Sequence, residues 1–282
     1  MSYGTLISVE ALQQIQREAL IVDCRYNVMK PDAGREAYDA GHVPGAFFLS
    51  VDSDLAGPVD GSNGRHPLPD RATLRQRLES FGLNDHRQLV VYDAAGGQVA
   101  ARLWWLAKWL GHDAAAVLDG GFQAWTGAGL PLSTEMPVPV VGQLSERTPL
   151  AHSVDLDAML YNLEATSRAV VDARSAPRYR GETEPIDPVA GHIPGSINRP
   201  SQDNLGADGR LKAPDLLRAE FAALLGQADA AQSIHSCGSG VAACHNLLAM
   251  QVAGMPMALL YPGSWSEWCA DPARPIATGP NP

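Results

Sequence analysis

The sequence predicts an α/β protein of two tandem domains, each a parallel β-sheet covered by helices on both faces. Two observations lead there. The chain is written twice: four short motifs of the first half return in the second, in the same order, about 145 positions later. Within each half, short apolar strands alternate with helical stretches, the pattern of a parallel sheet with crossover helices. The recurring pairs are Val22-Asp-Cys-Arg25 with Val171-Asp-Ala-Arg174, and Ala40-Gly-His-Val-Pro-Gly-Ala46 with Ala190-Gly-His-Ile-Pro-Gly-Ser196. Val99-Ala-Ala101 returns as Val241-Ala-Ala243, and Asp119-Gly-Gly-Phe-Gln-Ala-Trp125 as Pro262-Gly-Ser-Trp-Ser-Glu-Trp268. Such a period is too long for a solenoid and marks a duplicated domain.

Each half opens on an apolar strand closing on Asp-x-Arg (residues 19–25 and 169–174), where a structural ion pair is expected. A polar loop, the Gly-His-x-Pro-Gly motif and a second short strand follow. A helical stretch (70–82, 213–226) leads to the next strand (88–93, 232–236). Then come a loop, a helix (99–110, 241–253), a strand (115–118, 257–261) and a glycine turn into a Trp-bearing helix. Residues 133–150 bear prolines and lack periodicity, so the expected division is a domain over 1–132, a linker over 133–150 and a domain over 151–282.

Composition bounds the function. The 282 residues are 45% hydrophobic and 18% charged, as in an ordinary globular protein. A net charge of -10 offers no basic field for a nucleic-acid partner. The first twenty residues carry no apolar run fit for a signal peptide or membrane span, so a cytoplasmic protein is expected. The four cysteines form no C-x-x-C pair and read as thiols; with the eight histidines they show no ligand-like spacing, so no metal site is indicated.

Cys237 stands out. It ends the strand of Ser233-Ile-His-Ser-Cys237 and opens Gly238-Ser-Gly240 before a helical pattern. The unpaired N–H groups and dipole of a helix N-terminus favour an anion there, so this thiol is expected to ionise more readily than a free one. Gly238 and Gly240 let the backbone curl toward the sulfur. Open α/β sheets place their functional crevice beyond the carboxyl ends of the strands, where this loop falls. The corresponding loop of the first half, Tyr92-Asp-Ala-Ala-Gly-Gly97, has no cysteine, so chemistry is expected in the second half alone. Cys244 falls on the apolar pattern of the helix and reads as a core thiol, Cys24 as packing, and Cys269 has no assigned role.

With both Gly-His-x-Pro-Gly motifs, Arg102-Leu-Trp-Trp105, Leu118-Asp-Gly-Gly-Phe122 and Tyr261-Pro-Gly-Ser-Trp-Ser-Glu-Trp268, the chain resembles the two-domain sulfurtransferases, the rhodanese and 3-mercaptopyruvate sulfurtransferase family, over essentially its whole length. The resemblance implies two tandem rhodanese-like domains, the first inactive. Cys237-Gly-Ser-Gly-Val-Ala242 is similar to the mercaptopyruvate branch, whose pattern is C-G-S-G-V-T; Ala242 departs from its threonine. Thiosulfate-preferring members carry C-R-K-G-V-T, with two cations where this chain has Gly238 and Ser239. A neutral loop suits a monoanionic keto acid better than a dianion.

The resemblance further implies a Cys237 persulfide formed from 3-mercaptopyruvate, or alternatively thiosulfate, and discharged to a thiol such as thioredoxin or glutathione, or to cyanide. No cofactor is implied. The N–H groups of Gly238, Ser239, Gly240, Val241 and Ala242 would hold the outer sulfur. Arg178 matches the family's substrate arginine, and Arg180 is a candidate for the second one, which the family places in a Glu-Pro-Arg stretch absent from Glu184-Pro-Ile-Asp187. Ser239, His42 and Asp32 map to a proposed relay, although recurrence of the histidine motif in both halves favours a role for His42 and His192 in turn and strand geometry.

Three rivals are weighed. Gly238-Ser-Gly240-Val-Ala-Ala243 fits a dinucleotide fingerprint, but the next strand ends at Pro262 without the acid that grips a ribose. A cysteine phosphatase needs an arginine where Ala243 stands. A non-catalytic sulfur-carrier or regulatory module stands as the remaining reading, against which the intact Cys237 loop speaks.

Overall fold

A computed structural model of the protein describes residues 2–282. The chain forms two compact units. The first comprises residues 2–57, Leu68–Leu150 and Ala207–Leu211; the second comprises Pro58–Pro67, Ala151–Gly206 and Lys212–Pro282. The boundary near 150 agrees with the duplication, but two short segments are exchanged. Residues 133–150, expected as a linker, lie along the first unit: Gly142 N–H donates to the Glu79 carbonyl at 2.7 Å and Leu144 N–H to the Glu79 carboxylate at 2.8 Å. Leu144 is buried there, which gives this segment an anchor that its lack of periodicity conceals.

In the first unit the elements run β1 (Leu6–Ile7), α1 (Val9–Ile15), β2 (Leu20–Asp23), α2 (Ala33–Ala40), β3 (Ala46–Phe48), α3 (Arg71–Ser80), β4 (Leu89–Tyr92), α4 (Ala100–Trp109), β5 (Ala115–Leu118) and α5 (Gly121–Gly127). The second has β6 (His152–Ser153), α6 (Leu156–Ala165), β7 (Val170–Asp172), α7 (Ala176–Tyr179), β8 (Ser196–Asn198), α8 (Pro214–Leu225), β9 (Ile234–Ser236), α9 (Ala243–Val252), β10 (Leu259–Leu260) and α10 (Ser264–Trp268). The sheets are parallel five-stranded copies of one topology, β1-β5-β4-β2-β3 and β6-β10-β9-β7-β8. Strands β2, β4 and β5 are buried along their whole length, as expected of strands covered on both faces. Helix starts follow local chemistry: the Asp70 and Asp155 side chains cap α3 and α6, and Pro214 opens α8. The two-residue edge strands β1 and β6 are too short to show a period in sequence.

The repeated motifs prove to be parts of one device. Asp23 pairs with Arg25, whose Nη2 donates to the Gly41 carbonyl at 2.8 Å. Asp172 pairs likewise with Arg174, whose Nη2 donates to the Gly191 carbonyl at 2.7 Å. Each ion pair at a strand end thus ties down the glycine of Gly-His-x-Pro-Gly. The histidines stack on tyrosines, His42 on Tyr38 and His192 on Tyr179, with ring centroids 3.9 and 3.8 Å apart. Among the described residues no helix is long and apolar enough to cross a membrane.

Candidate active site

The sulfur-bearing loop is clamped by the start of α10. Cys237 directly follows β9 and is buried. Its N–H donates to Ser264 Oγ at 3.0 Å, and its carbonyl accepts from Trp265 N–H at 3.0 Å. Ser266 N–H donates to the Gly238 carbonyl at 2.9 Å. Ser264 takes a left-handed backbone (φ 54), uncommon for a residue with a side chain, and its hydroxyl donates to the Tyr261 carbonyl at 2.9 Å. Gly240 (φ 74) has the Pro262 carbonyl where a Cβ would stand, so only glycine fits. The N–H groups of Gly238, Ser239, Val241 and Ala242 donate to no acceptor among the described residues.

The first unit shows what such a loop does. Asp93 follows β4 as Cys237 follows β9, and its carbonyl accepts from Phe122 N–H at 2.8 Å, the counterpart of the Trp265 bond. The buried Asp93 carboxylate accepts from Ala95 and Gly97 N–H at Oδ1 (2.8 and 2.9 Å) and from Val99 and Ala100 N–H at Oδ2 (2.7 and 2.8 Å). Val99 and Ala100 are the repeat counterparts of Val241 and Ala242. One copy therefore fills its ring of N–H donors with its own anion, and the other leaves the corresponding donors open beside a thiol.

Ser239 is buried, and its hydroxyl lies 2.7 Å from His66 Nδ1. His66 belongs to the exchanged segment Pro58–Pro67. That segment is fastened by Arg65, whose N–H donates to Ser266 Oγ at 3.0 Å. The Arg65 side chain reaches the same loop: its Nη2 would lie 2.9 Å from a Cβ placed on Gly238, with Arg178 Nη2 and Nη1 at 3.5 and 3.6 Å. Arg178 is held by Glu184 (Nη2 to Oε1, 2.7 Å) and Asp187 (Nη2 to Oδ2, 3.1 Å), and Arg65 Nη1 pairs with the other Asp187 oxygen. Burial pushes the Arg65 guanidinium below its ordinary value, while the sulfur of Cys237 pulls it back.

Arg180 instead forks onto Glu182, at 2.7 and 2.8 Å. Where the resemblance offered Ser239, His42 and Asp32 as a relay, the imidazole on Ser239 is that of His66. Both ring nitrogens of His42 face carbonyls, Nδ1 that of Tyr38 at 2.8 Å and Nε2 that of Glu135 at 3.1 Å. Asp32 is exposed at the start of α2 and gives that helix no side-chain cap. The other cysteines are buried: Cys244 Sγ lies 3.3 Å from the Gly240 carbonyl, and burial pushes the Cys24 and Cys269 thiols up. Arg65, His66, Ser264 and Asp187 are thus placed at the loop without having been singled out in sequence. The one signal for the first two is a further repeat, Gly64-Arg-His-Pro-Leu-Pro-Asp70 returning as Gly209-Arg-Leu-Lys-Ala-Pro-Asp215, in which the second copy has Leu211 where the first has His66.

The rhodanese-like domain family matches the chain twice, over residues 8–128 and 155–271. A probable 3-mercaptopyruvate sulfurtransferase of Pseudomonas aeruginosa is 44% identical over 99% of this chain and 100% of its own length. A putative thiosulfate sulfurtransferase of Mycobacterium tuberculosis is 37% identical over 92% of this chain and 90% of its own. The solved 3-mercaptopyruvate sulfurtransferase of Leishmania major superposes with a TM-score of 0.84 at 32% identity, covering 94% of this chain and 74% of that one. The doubled sheet, the cysteine loop and these matches agree, and the chain belongs to the two-domain rhodanese-like sulfurtransferase family.

Proposed function

We propose that this protein moves a sulfur atom from 3-mercaptopyruvate to a thiol acceptor through a persulfide on Cys237. The observation that carries this reading is the open set of N–H donors after Cys237, in a loop whose twin closes on a carboxylate. Donors fixed in this way stabilise the charge of a terminal sulfur without reorganising. The Cys237 thiolate attacks the donor's sulfur, forming an S–S bond as the S–CH2 bond breaks. The bonding pair leaves on carbon as the enolate of pyruvate, which takes the proton of the former thiol, so pyruvate departs and Cys237 keeps an anionic persulfide. An acceptor thiolate then attacks the outer sulfur and restores the Cys237 thiolate. Ser239, paired with His66, offers a hydroxyl to the enolate oxygen as charge develops there.

Donor choice rests on the neutral Gly238 and Ser239 and on Arg178 at the loop. A thiosulfate donor is the second reading, favoured by the guanidinium groups of Arg65 and Arg178, which bring positive charge that the loop itself lacks. Thioredoxin, glutathione and cyanide fit as acceptors, in the cytosol, where thiols stay reduced; the four cysteines are free. Comparing kcat/KM for the two donors on one preparation tests the reading: a mercaptopyruvate preference is expected, and a clear thiosulfate preference overturns it.

A further inference from the structure

We propose that the second unit carries a binding site for a free α-amino acid with an apolar side chain, at the end of its sheet opposite Cys237. A cavity of about 570 Å³ lies at the N-terminal end of β7, whereas Cys237 follows the C-terminal end of the neighbouring parallel strand β9. Such a volume is in the range of small-molecule pockets. Met159, Leu163 and Ile193 give the cavity an apolar wall, and Ser167, Arg168 and Pro194 also line it. Buried Asn162 fixes the rim: its amide donates to the Arg168 carbonyl at 3.0 Å, and its side-chain oxygen accepts from Arg168 N–H at 2.9 Å. The shape of the site is thus set by the chain itself.

The first unit fills the matching place with its own side chains. There Gln16 Nε2 donates to the Pro44 carbonyl at 2.9 Å, and the Arg87 fork donates to the Glu18 and Ala19 carbonyls at 3.0 and 3.1 Å. In the repeat Pro194 answers to Pro44 and Ser167 to Glu18, but Ala231 stands at the position of Arg87. Leu163 lies as far from its helix cap, Asp155, as Gln16 does from Ser8, and offers no donor. The Ser167 and Pro194 carbonyls accept no hydrogen bond among the described residues. Two acceptors that the first copy satisfies therefore stand without a donor beside an apolar wall. The Arg168 guanidinium pairs with no carboxylate among the described residues. An ammonium for the carbonyls, a carboxylate for the guanidinium and an apolar side chain for the wall are the parts of one molecule, an apolar α-amino acid.

Titration calorimetry of the full chain with L-phenylalanine, 3-phenylpropanoate and 2-phenylethylamine tests this, the last two lacking the ammonium and the carboxylate in turn. L-Phenylalanine is expected to bind with a Kd of about 1 mM or tighter, and each of the others at least about tenfold more weakly. Arg168→Ala should weaken L-phenylalanine about tenfold. Ala231→Arg restores the crossing guanidinium of the first copy and should abolish binding, with the circular-dichroism spectrum unchanged. No saturable binding at about 10 mM L-phenylalanine overturns the proposal. Undiminished affinity in R168A or in folded A231R does so too, since the amino acid would then sit elsewhere, as at Arg178. Equal affinity for 3-phenylpropanoate or for 2-phenylethylamine overturns the assignment to an amino acid. Should A231R not fold, R168A decides, because that side chain is partly exposed and tied to no ion pair.

Discussion

Asp93 and Cys237 are the same position in two copies of one domain. Asp93 directly follows β4 and Cys237 directly follows β9, and each carbonyl accepts from the N–H of the second residue of the Trp-bearing helix, Phe122 in α5 and Trp265 in α10. In one copy four N–H groups close on the chain's own carboxylate; in the other the corresponding donors stand open beside sulfur. Duplication thus supplies an internal control for the claim that this loop is built to hold an anion.

Removing the Asp93 carboxylate should therefore cost stability. Asp93→Ala leaves buried N–H groups without their charged acceptor, and a loss of about 3 kcal/mol in denaturant unfolding is expected. A change below about 1 kcal/mol would mean that the ring is satisfied without the carboxylate.

Ser239 and His66 act through one hydrogen bond, so their effects should not add. S239A and H66Q are each expected to lower kcat for mercaptopyruvate about 10- to 100-fold, and the double variant should be scarcely slower than either single one. Fully multiplicative losses would show that the two side chains serve separate ends.

Much of this architecture is legible from residues alone. The Asp-x-Arg and Gly-His-x-Pro-Gly pairs locate the strands because buried ion pairs and tight turns need those residue types; Gly45 and Gly195 hold φ 84 and 79 at the turns. Cys237 is legible because a thiol between a strand and a helix start has few structural uses. The donor side is less so. Arg65 and His66 lie in the first half by sequence and pack with the second unit, and no periodicity records such an exchange. Arg180 resembles a ligand in sequence because only the fold reveals that Glu182 takes its fork.

Gly238 and Arg65 compete for one space. G238A should displace Arg65 Nη2 and raise the half-saturating mercaptopyruvate concentration about 3- to 10-fold, while adding little in an R65A background. Equal effects in both backgrounds would show that the glycine serves the loop backbone alone.

His235 sets an acid limit on stability. It is fully buried in β9, with Nδ1 unpartnered and Ser233 Oγ 3.3 Å from Nε2, and burial lowers its pKa to about 3. Its neutral form is favoured in the fold, so its contribution is complete above the ordinary value of 6.5 and is lost as pH falls toward 3. Between pH 7 and pH 5 this group should remove about 2 kcal/mol of unfolding free energy. Urea titrations of H235L at both values should lack that loss; an undiminished pH slope in the variant would contradict it.

Intact-protein mass after brief exposure to 3-mercaptopyruvate addresses the central claim most directly. A gain of about 32 Da is expected, mapping to Cys237, absent from Cys237→Ser and erased by an added thiol with release of one sulfur equivalent. An unmodified mass, an adduct on another cysteine, or turnover that persists in C237S would contradict the account.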